Sequence, residues 1–459
     1  MKKFNAFLLA VFGIASLQAA TIEQVIVRKQ WPWSTDIKVE YKLSGVTAPV
    51  DIQVKAFNGE VELAIPATAI VGDRYGITTD GIGQFTIDPV LAFGTGKVAL
   101  ANFKVKLTVT ASSDNVNEVI YKIFDLQTGG IEELTRAKIL NGEYGSYETD
   151  FGAIGEGYQT TLSDVLIWTG VTNYPGAKTS KLVMRKVSAA GVDWTMGRNP
   201  GDTTTAENET PHPVRLTKDF WIGVFETTMG QRKCITGGKS SSDDAMRQND
   251  GYGSATFTNM EYIAERPVHL GSYRWTHYPR LAEINKKFPS VTFAFPTEAQ
   301  WEFACRAGST TRWNSGLSSG AELLGRYYAN GGKKWNETTH DWTSYHPRDC
   351  TGEYGVAPVG WYRPNALGLY DMHGNAGEVC ADAYYADYGV PDKTVVTEDP
   401  GLDHLLGTAT TGNAAYRGGN WSSLSLGSIG TPNRLSVGVT NAGDSSAGYH
   451  GFRLCITED

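Results

Sequence analysis

Pro364-Asn365-Ala366-Leu367-Gly368-Leu369-Tyr370-Asp371-Met372-His373-Gly374-Asn375-Ala376-Gly377-Glu378-Val379 is the stretch on which the reading of this chain turns. Two carboxylates, Asp371 and Glu378, bracket a turn that contains Gly374, Asn375, Ala376 and Gly377. Calcium takes about six to eight oxygens at flexible geometry, and a glycine-containing turn supplies backbone carbonyls beside the acids. The pattern therefore predicts a loop for a hard cation. The alternative is a Glu378 that merely buries into a hydrogen-bonded turn. His373 lies inside the loop and reads as structural.

Further segments surround this loop in a definite order. Trp194-Thr195-Met196-Gly197, Pro213 to Leu216, Phe220-Trp221-Ile222-Gly223-Val224-Phe225-Glu226-Thr227-Thr228 and Arg266-Pro267-Val268-His269 precede it. Phe295-Pro296-Thr297-Glu298-Ala299-Gln300-Trp301-Glu302-Phe303-Ala304-Cys305-Arg306-Ala307-Gly308 reads as a helix. Pro296 stands where the helix is about to start, Thr297 is its N-cap, and Glu298, Trp301, Glu302 and Cys305 recur at helical spacing. Tyr328-Ala329-Asn330 and Ala357-Pro358-Val359-Gly360 follow, and after the loop come Tyr416-Arg417-Gly418-Gly419-Asn420-Trp421 and Gly451-Phe452-Arg453-Leu454.

In this order the segments resemble the formylglycine-generating enzyme (sulfatase-modifying factor) family over residues 181–459. The resemblance implies an FGE-sulfatase domain of C-type-lectin-like fold, with a mixed twisted sheet, few helices and much irregular chain. It also implies a structural calcium held by the side chains of Asp371 and Glu378 and the backbone oxygens of Gly374 and Ala376. A second calcium would use Asn330, the carbonyl of Gly331 and Asp349, although Asp349 is displaced from the expected register.

The resemblance further places two copper(I)-binding cysteines after Gly418-Gly419. Those positions hold Ser423 and Ser428, and Asn420 to Thr440 contains no cysteine. Copper(I) needs soft thiolates, which hydroxyls do not replace, so neither copper nor the oxygen-dependent conversion of a substrate cysteine is expected. The aromatic residue that the family carries after Asn-Ala is Gly377 here. Cys380 and Cys455 read as buried, inert thiols, and no GxSxG context makes Ser423 or Ser428 a nucleophile. The eight histidines have no iron or zinc ligand spacing.

Three functional readings stay open. The first is a calcium-stabilised binding or structural protein with a protein or surface ligand. Ser422 to His450 is rich in small polar residues, which suit adaptable contacts. Asn420, Trp421, Ser423, Ser425, Ser428, Asn433 and Arg434 are its candidate ligand-binding residues, and the composition resembles the hypervariable tails of retroelement-diversified proteins of this fold. The second is a metal- and oxygen-dependent oxidoreductase of the same superfamily acting on a secreted protein. The third is an accessory protein that pairs with a sulfatase or a catalytic family member.

Toward the N-terminus the grammar changes. Lys2 and Lys3, the apolar run Ala6 to Leu17 and Gln18-Ala19-Ala20 form a secretory signal peptide over residues 1–20, which predicts a secreted, periplasmic or cell-surface protein. Residues 21–112 alternate polar and apolar side chains at Asp36 to Leu43, Val50 to Phe57 and Lys97 to Thr110, the pattern of an immunoglobulin-like antiparallel sandwich. Residues 113–180 read as a leader packing on the next domain, with strand-like pieces at Val119 to Leu126 and Val165 to Thr169. The fold class is thus α+β, an all-β sandwich followed by the FGE-type domain. A net charge of -8 without a basic cluster speaks against nucleic-acid binding. No later apolar run is long enough to span a membrane. Five widely spaced cysteines make no disulfide scaffold, so the core must carry the fold.

Overall fold

The structure, a computed structural model, describes residues 20–29, 34–95, 100–149, 165–198, 209–237, 264–268, 278–315, 323–327, 334–336, 341–343, 356–384, 413–421, 423, 429–431, 434–438 and 450–458. Two compact units divide the chain. The first runs to Asn117 and includes Leu140–Glu143; the second comprises Glu118–Ile139 and Tyr144–Asp459. The expected signal peptide lies outside the described residues apart from Ala20.

In the first unit the described strands are β1 (Thr21–Lys29), β2 (Ile37–Ser44), β3 (Val50–Asn58), β4 (Val61–Leu63), β5 (Ile70–Gly72), β6 (Gly81–Ile87) and β7 (Phe103–Ala111), with one short helix, α1 (Pro89–Phe93). They form two antiparallel sheets, β1-β2-β6-β5 and β4-β3-β7. The alternation explains the sandwich. Along β2, Ile37, Val39, Tyr41 and Leu43 are buried while Lys38, Glu40 and Lys42 point away. The buried set meets Val50 and Ile52 of β3 and Phe85 and Ile87 of β6 in one core. β7 starts at Phe103, after a turn at Asn102, whose carbonyl accepts the Gly59 N–H at 3.0 Å and whose own N–H donates to Asn58 Oδ1 at 3.1 Å; the expected strand start at Lys97 lies outside the described residues.

The second unit holds a five-stranded antiparallel sheet in the order β20-β13-β10-β8-β9. Its strands are β8 (Val119–Asp125), β9 (Ile131–Thr135), β10 (Lys181–Val187), β13 (Phe220–Gly223) and β20 (Cys455–Thr457). The segment read as a leader thus contributes two strands to this sheet. A short helix, α2 (Arg136–Leu140), follows β9. Val165 to Thr169 forms no strand; Ile167 makes an isolated bridge to Glu148, and the chain then enters a tight 3-10 turn. β11 (Asp193–Met196) and β12 (His212–Arg215) pair antiparallel in a two-stranded sheet, as do β14 (Lys334–Asn336) and β15 (Asp341–Thr343).

A second sheet is ordered β18-β17-β16-β19, from β16 (Gly377–Ala383), β17 (Asn413–Arg417), β18 (Arg434–Gly438) and β19 (His450–Gly451). β19 runs parallel to β16, which makes this sheet mixed. The unit's longer described helices are α3 (Met229–Thr236), α4 (Tyr278–Lys287) and α5 (Glu298–Arg306). Thr297 caps α5 as its sequence predicts: its hydroxyl accepts the Gln300 N–H at 3.1 Å, and Gln300 Oε1 accepts the Thr297 N–H at 3.0 Å. Phe124 anchors one core, meeting Phe288 and Phe293 edge to face at 5.2 and 5.0 Å. Trp301 anchors the other. Among the described residues no helix is long and apolar enough to cross a membrane.

Gly83 of β6 has no room for a side chain. A Cβ on Gly83 would fall 2.2 Å from the Tyr41 ring. Gly83→Ala should therefore cost about 1–3 kcal/mol through overpacking, read as a lowered thermal transition of the sandwich in calorimetry of the full chain.

Candidate functional site

The acidic loop forms because its residues accept unusual backbone angles. Asp371 and Asn375 sit at φ +57° and +58°, left-handed conformations that Asp and Asn tolerate better than other non-glycine residues. Gly374 lies between them at φ +77°, and a Cβ there would come within 2.0 Å of the Arg326 carbonyl, so only glycine fits. The loop is tied down on all sides. Gly374 N–H donates to Gly418 O (2.7 Å), Asn375 N–H to Arg326 O (2.7 Å), and Asn375 O accepts the Trp421 N–H (2.9 Å). His373 is buried and structural: Nδ1–H donates to Ile429 O at 2.6 Å, and Nε2 accepts the Asn314 N–H at 3.2 Å.

Two of the loop's carboxylates have contrasting environments. Glu378, at the start of β16, accepts from Arg453 Nη2 on Oε1 (2.6 Å), and from Arg453 Nε (2.9 Å) and Trp301 Nε1 (2.7 Å) on Oε2. Asp371 Oδ2 accepts the Gly360 N–H at 2.6 Å, while the buried Oδ1 has no hydrogen-bond partner among the described residues. Burial pushes the Asp371 carboxyl up to about 6, although the Gly360 N–H, Arg453 and Lys178 pull against it.

A third carboxylate joins them that sequence reading overlooked. Glu226 is fully buried, accepting the Ala376 N–H on Oε1 (2.8 Å) and Asn375 Nδ2 on Oε2 (2.6 Å). Burial, then the charges of Asp371 and Glu378, hold its carboxyl well above the usual carboxylate range. The available signal was an acid at the end of the apolar run Phe220 to Phe225, where a charge needs a reason. Among the described residues no group of three or more His, Cys, Asp and Glu side chains is arranged as a metal cage. A cation at this loop would therefore draw on backbone oxygens as well, with Asp371 Oδ1 the open carboxylate oxygen.

A second charge cluster lies along α5. Glu302 Oε1 accepts the Gly197 N–H (2.8 Å) and Arg306 Nη2 (2.6 Å), while Oε2 accepts from Arg417 Nη2. Arg417 also pairs with Glu298 at 3.0 Å. Burial raises the Glu302 carboxyl, but Arg306 and Arg417 outweigh it, and the net shift is downward.

Ser423 is half-buried and closes a turn: its Oγ accepts the Asn420 N–H at 3.0 Å, and its N–H donates to Asn420 O at 3.0 Å. Asn420 and Trp421, read as parts of a contact surface, are 8% and 5% exposed, because the Trp421 N–H draws this segment inward onto Asn375. Ser425, Ser428, Asn433, Asn330, Gly331, Asp349 and Cys350 lie outside the described residues, as does the side chain of Arg434. Cys305, Cys380 and Cys455 are buried free thiols, and burial raises all three; Cys305 is pushed up to about 12.

Arg453→Met should leave Glu378 charged, buried and short of its counter-ion, at a cost of about 3–5 kcal/mol in urea unfolding. Arg453→Lys should not restore it, because an ammonium lacks the planar five-donor fork. Asp371 has the opposite signature. Its carboxyl holds a proton more tightly folded than unfolded, so metal-free protein loses stability as pH rises from about 4 through 6. In chelator, Asp371→Asn should gain roughly 2–3 kcal/mol on the parent over that window. His373, lowered by burial to about 4, favours higher pH, but it is common to both proteins and cancels in the comparison of urea midpoints.

Comparison with known proteins agrees with the order of segments. The sulfatase-modifying factor enzyme 1-like domain family matches residues 174–458. The chain is 35% identical over 313 residues to the formylglycine-generating enzyme of Streptomyces coelicolor, covering 60% of this chain and 90% of that protein. It is 27% identical over 176 residues to the chaperone protein LppX of Paenibacillus barcinonensis, covering 35% of this chain and 61% of that one. A Bos taurus protein named inactive C-alpha-formylglycine-generating enzyme 2 is 29% identical over 162 residues, covering 34% of this chain and 42% of that one. By the extent of the family match, this chain belongs to the sulfatase-modifying factor enzyme 1-like (FGE-sulfatase) family.

Proposed function

We propose that this protein is an exported, calcium-braced member of its family that serves as a binding or structural module and does not carry out the copper-dependent oxidation of cysteine. The carrying observation is Ser423. At the first thiol position of the family it offers a hydroxyl, and that hydroxyl accepts the Asn420 N–H inside a turn. The described thiols do not substitute, since Cys305, Cys380 and Cys455 are buried and Cys234 is half-buried on α3, far from any of them in sequence, and burial raises the pKa of all four. This donor set does not fit copper(I). Two relatives favour the same reading: one is named inactive, another a chaperone.

Calcium fits the acidic loop better. Asp371 presents an open buried oxygen, and Glu226 and Glu378 add negative charge around it. A hard cation takes such oxygens together with turn carbonyls, and it would hold together a segment made almost wholly of turns. The ligand of the module would be a protein or surface group.

Purified protein, reconstituted with copper(I) and supplied with oxygen and a cysteine-containing sulfatase peptide, should produce no aldehyde and bind no stoichiometric copper. Chelation should lower the thermal midpoint, and calcium at about 100-fold above its Kd should restore about 2.7 kcal/mol. Copper-dependent aldehyde formation lost on Ser423→Ala would favour the oxidoreductase reading instead, and a melting curve indifferent to chelator and calcium would remove the brace.

A further inference from the structure

The two sheets of the first unit end unequally. At one end each finishes in a three-residue strand, β5 or β4; at the other end each finishes in a nine-residue strand without proline, β1 or β7. β1 and β7 lie beside each other, and Lys29 Nζ at the end of β1 donates to Leu100 O, just before β7, at 3.3 Å. Among the described residues, β1 makes no backbone hydrogen bond beyond its ladder with β2, and β7 none beyond its ladder with β3. A long unpaired edge is a template for a further strand, and a very short edge strand is one way to avoid offering it.

Burial marks the same flank as open. Ile37, Val39, Tyr41 and Leu43 of β2 are at most 3% exposed, whereas Val25 of β1 is 37% exposed and Ile26 and Val27 are only half-buried. The inward row of β7, from Phe103 through Val105 and Leu107 to Val109, is half-buried too. Charge then separates the two edges. β7 carries Lys104 and Lys106 and no acid, so a second β7 would bring four ammonium groups together, and lysine is a common guard of a strand edge. β1 carries Glu23 near its start and Arg28 and Lys29 at its end. Glu23 pairs with Lys42 at 2.6 Å and Arg28 with Glu40 at 2.7 Å, both on the surface, where such pairs are weak and easily exchanged.

A twofold rotation lays β1 antiparallel on a copy of itself, so the basic end of each strand meets the acidic end of the other. Directly opposed side chains in such a pair share a face. The register centred on Ile26 sets Ile26 against Ile26 of the second copy, Val25 against Val27 and Gln24 against Arg28, with Glu23 next to that Arg28. Centred on Val25, the pairing would instead set Ile26 against Gln24 and Val27 against Glu23. We propose that this chain forms a twofold dimer in which β1 of one copy pairs antiparallel with β1 of another, centred on Ile26, and joins their four-stranded sheets into one. The proposal is independent of the calcium reading.

Sedimentation velocity of the full chain over low to high micromolar concentration tests it, and should show a monomer passing into a dimer. Val25→Lys sets an ammonium group against Val27 of the second copy and should raise the dimer Kd at least about tenfold. If that variant does not fold, Arg28→Glu at an exposed position should dissociate the dimer, and Glu23→Arg added to it should restore it. Opposed α-carbons in an antiparallel pair stand about 4.5–5.5 Å apart, within disulfide reach. Ile26→Cys should therefore give a reducible covalent dimer on mild oxidation, while Gln24→Cys and the parent chain should not. A parent that stays monomeric throughout overturns the proposal and leaves this edge to a strand of another protein. A dimer indifferent to Val25→Lys, or one that Ile26→Cys fails to cross-link, overturns it as well and places the contact elsewhere.

Discussion

The pairing of Arg453 with Glu378 organises the second unit. One planar guanidinium binds the carbonyls of Gly223 and Val224 at the end of β13, the carbonyl of Tyr370 before the acidic loop, and the Glu378 carboxylate at the start of β16. These segments are far apart in the chain and share few ladder hydrogen bonds. A fork with fixed donor directions brings them into a single register, which an apolar contact of equal size would not define. Buried ion pairs are poor evidence of stability in themselves, because desolvation consumes most of the Coulomb gain. Their value here is geometric. Glu302 does similar work on α5, binding Gly197 from β11's end, Arg306 from its own helix and Arg417 from β17.

The same logic separates acids that serve the fold from acids that remain available. Glu378 and Glu302 are met by guanidinium groups; Glu226 and Asp371 are met by neutral N–H groups. A buried carboxylate with only neutral donors lacks a counter-charge, and burial holds both Glu226 and Asp371 above the usual carboxylate range. Two residues past Trp421, whose N–H donates to Asn375 of the loop, the hydroxyl of Ser423 completes a backbone turn with Asn420 at the position where the family resemblance places a cysteine. The frame is thus preserved by interactions that do not depend on the thiol pair.

Much of this was legible in the residues. The period-two alternation at Ile37 to Leu43 required a one-sided strand, and β2 buries those apolar residues. Thr297 announced a capped helix, and its hydroxyl accepts the Gln300 N–H, with Gln300 Oε1 returning a bond that the sequence reading did not anticipate. Other features were not legible. The start of β7 depended on a turn at Asn102 that alternation does not encode. Ile167 lies in an apolar stretch but pairs only as an isolated bridge, because the chain bends into a 3-10 turn immediately after it. Asn420 and Trp421 looked like surface residues by composition, yet a single backbone bond to Asn375 places them inside.

Sequence by itself determined the local chemistry of this protein: where helices start, which strand faces are apolar, which turn tolerates left-handed backbone, and that no thiol stands between Asn420 and Thr440. Only the tertiary structure decided which charge meets which. Glu226 reaches the Ala376 N–H across 150 residues of chain, and Glu378 meets Arg453 across 75. No local period carries that information. Hydrogen bonding and desolvation act through space, so a carboxylate's partner is fixed by packing and not by its neighbours in sequence.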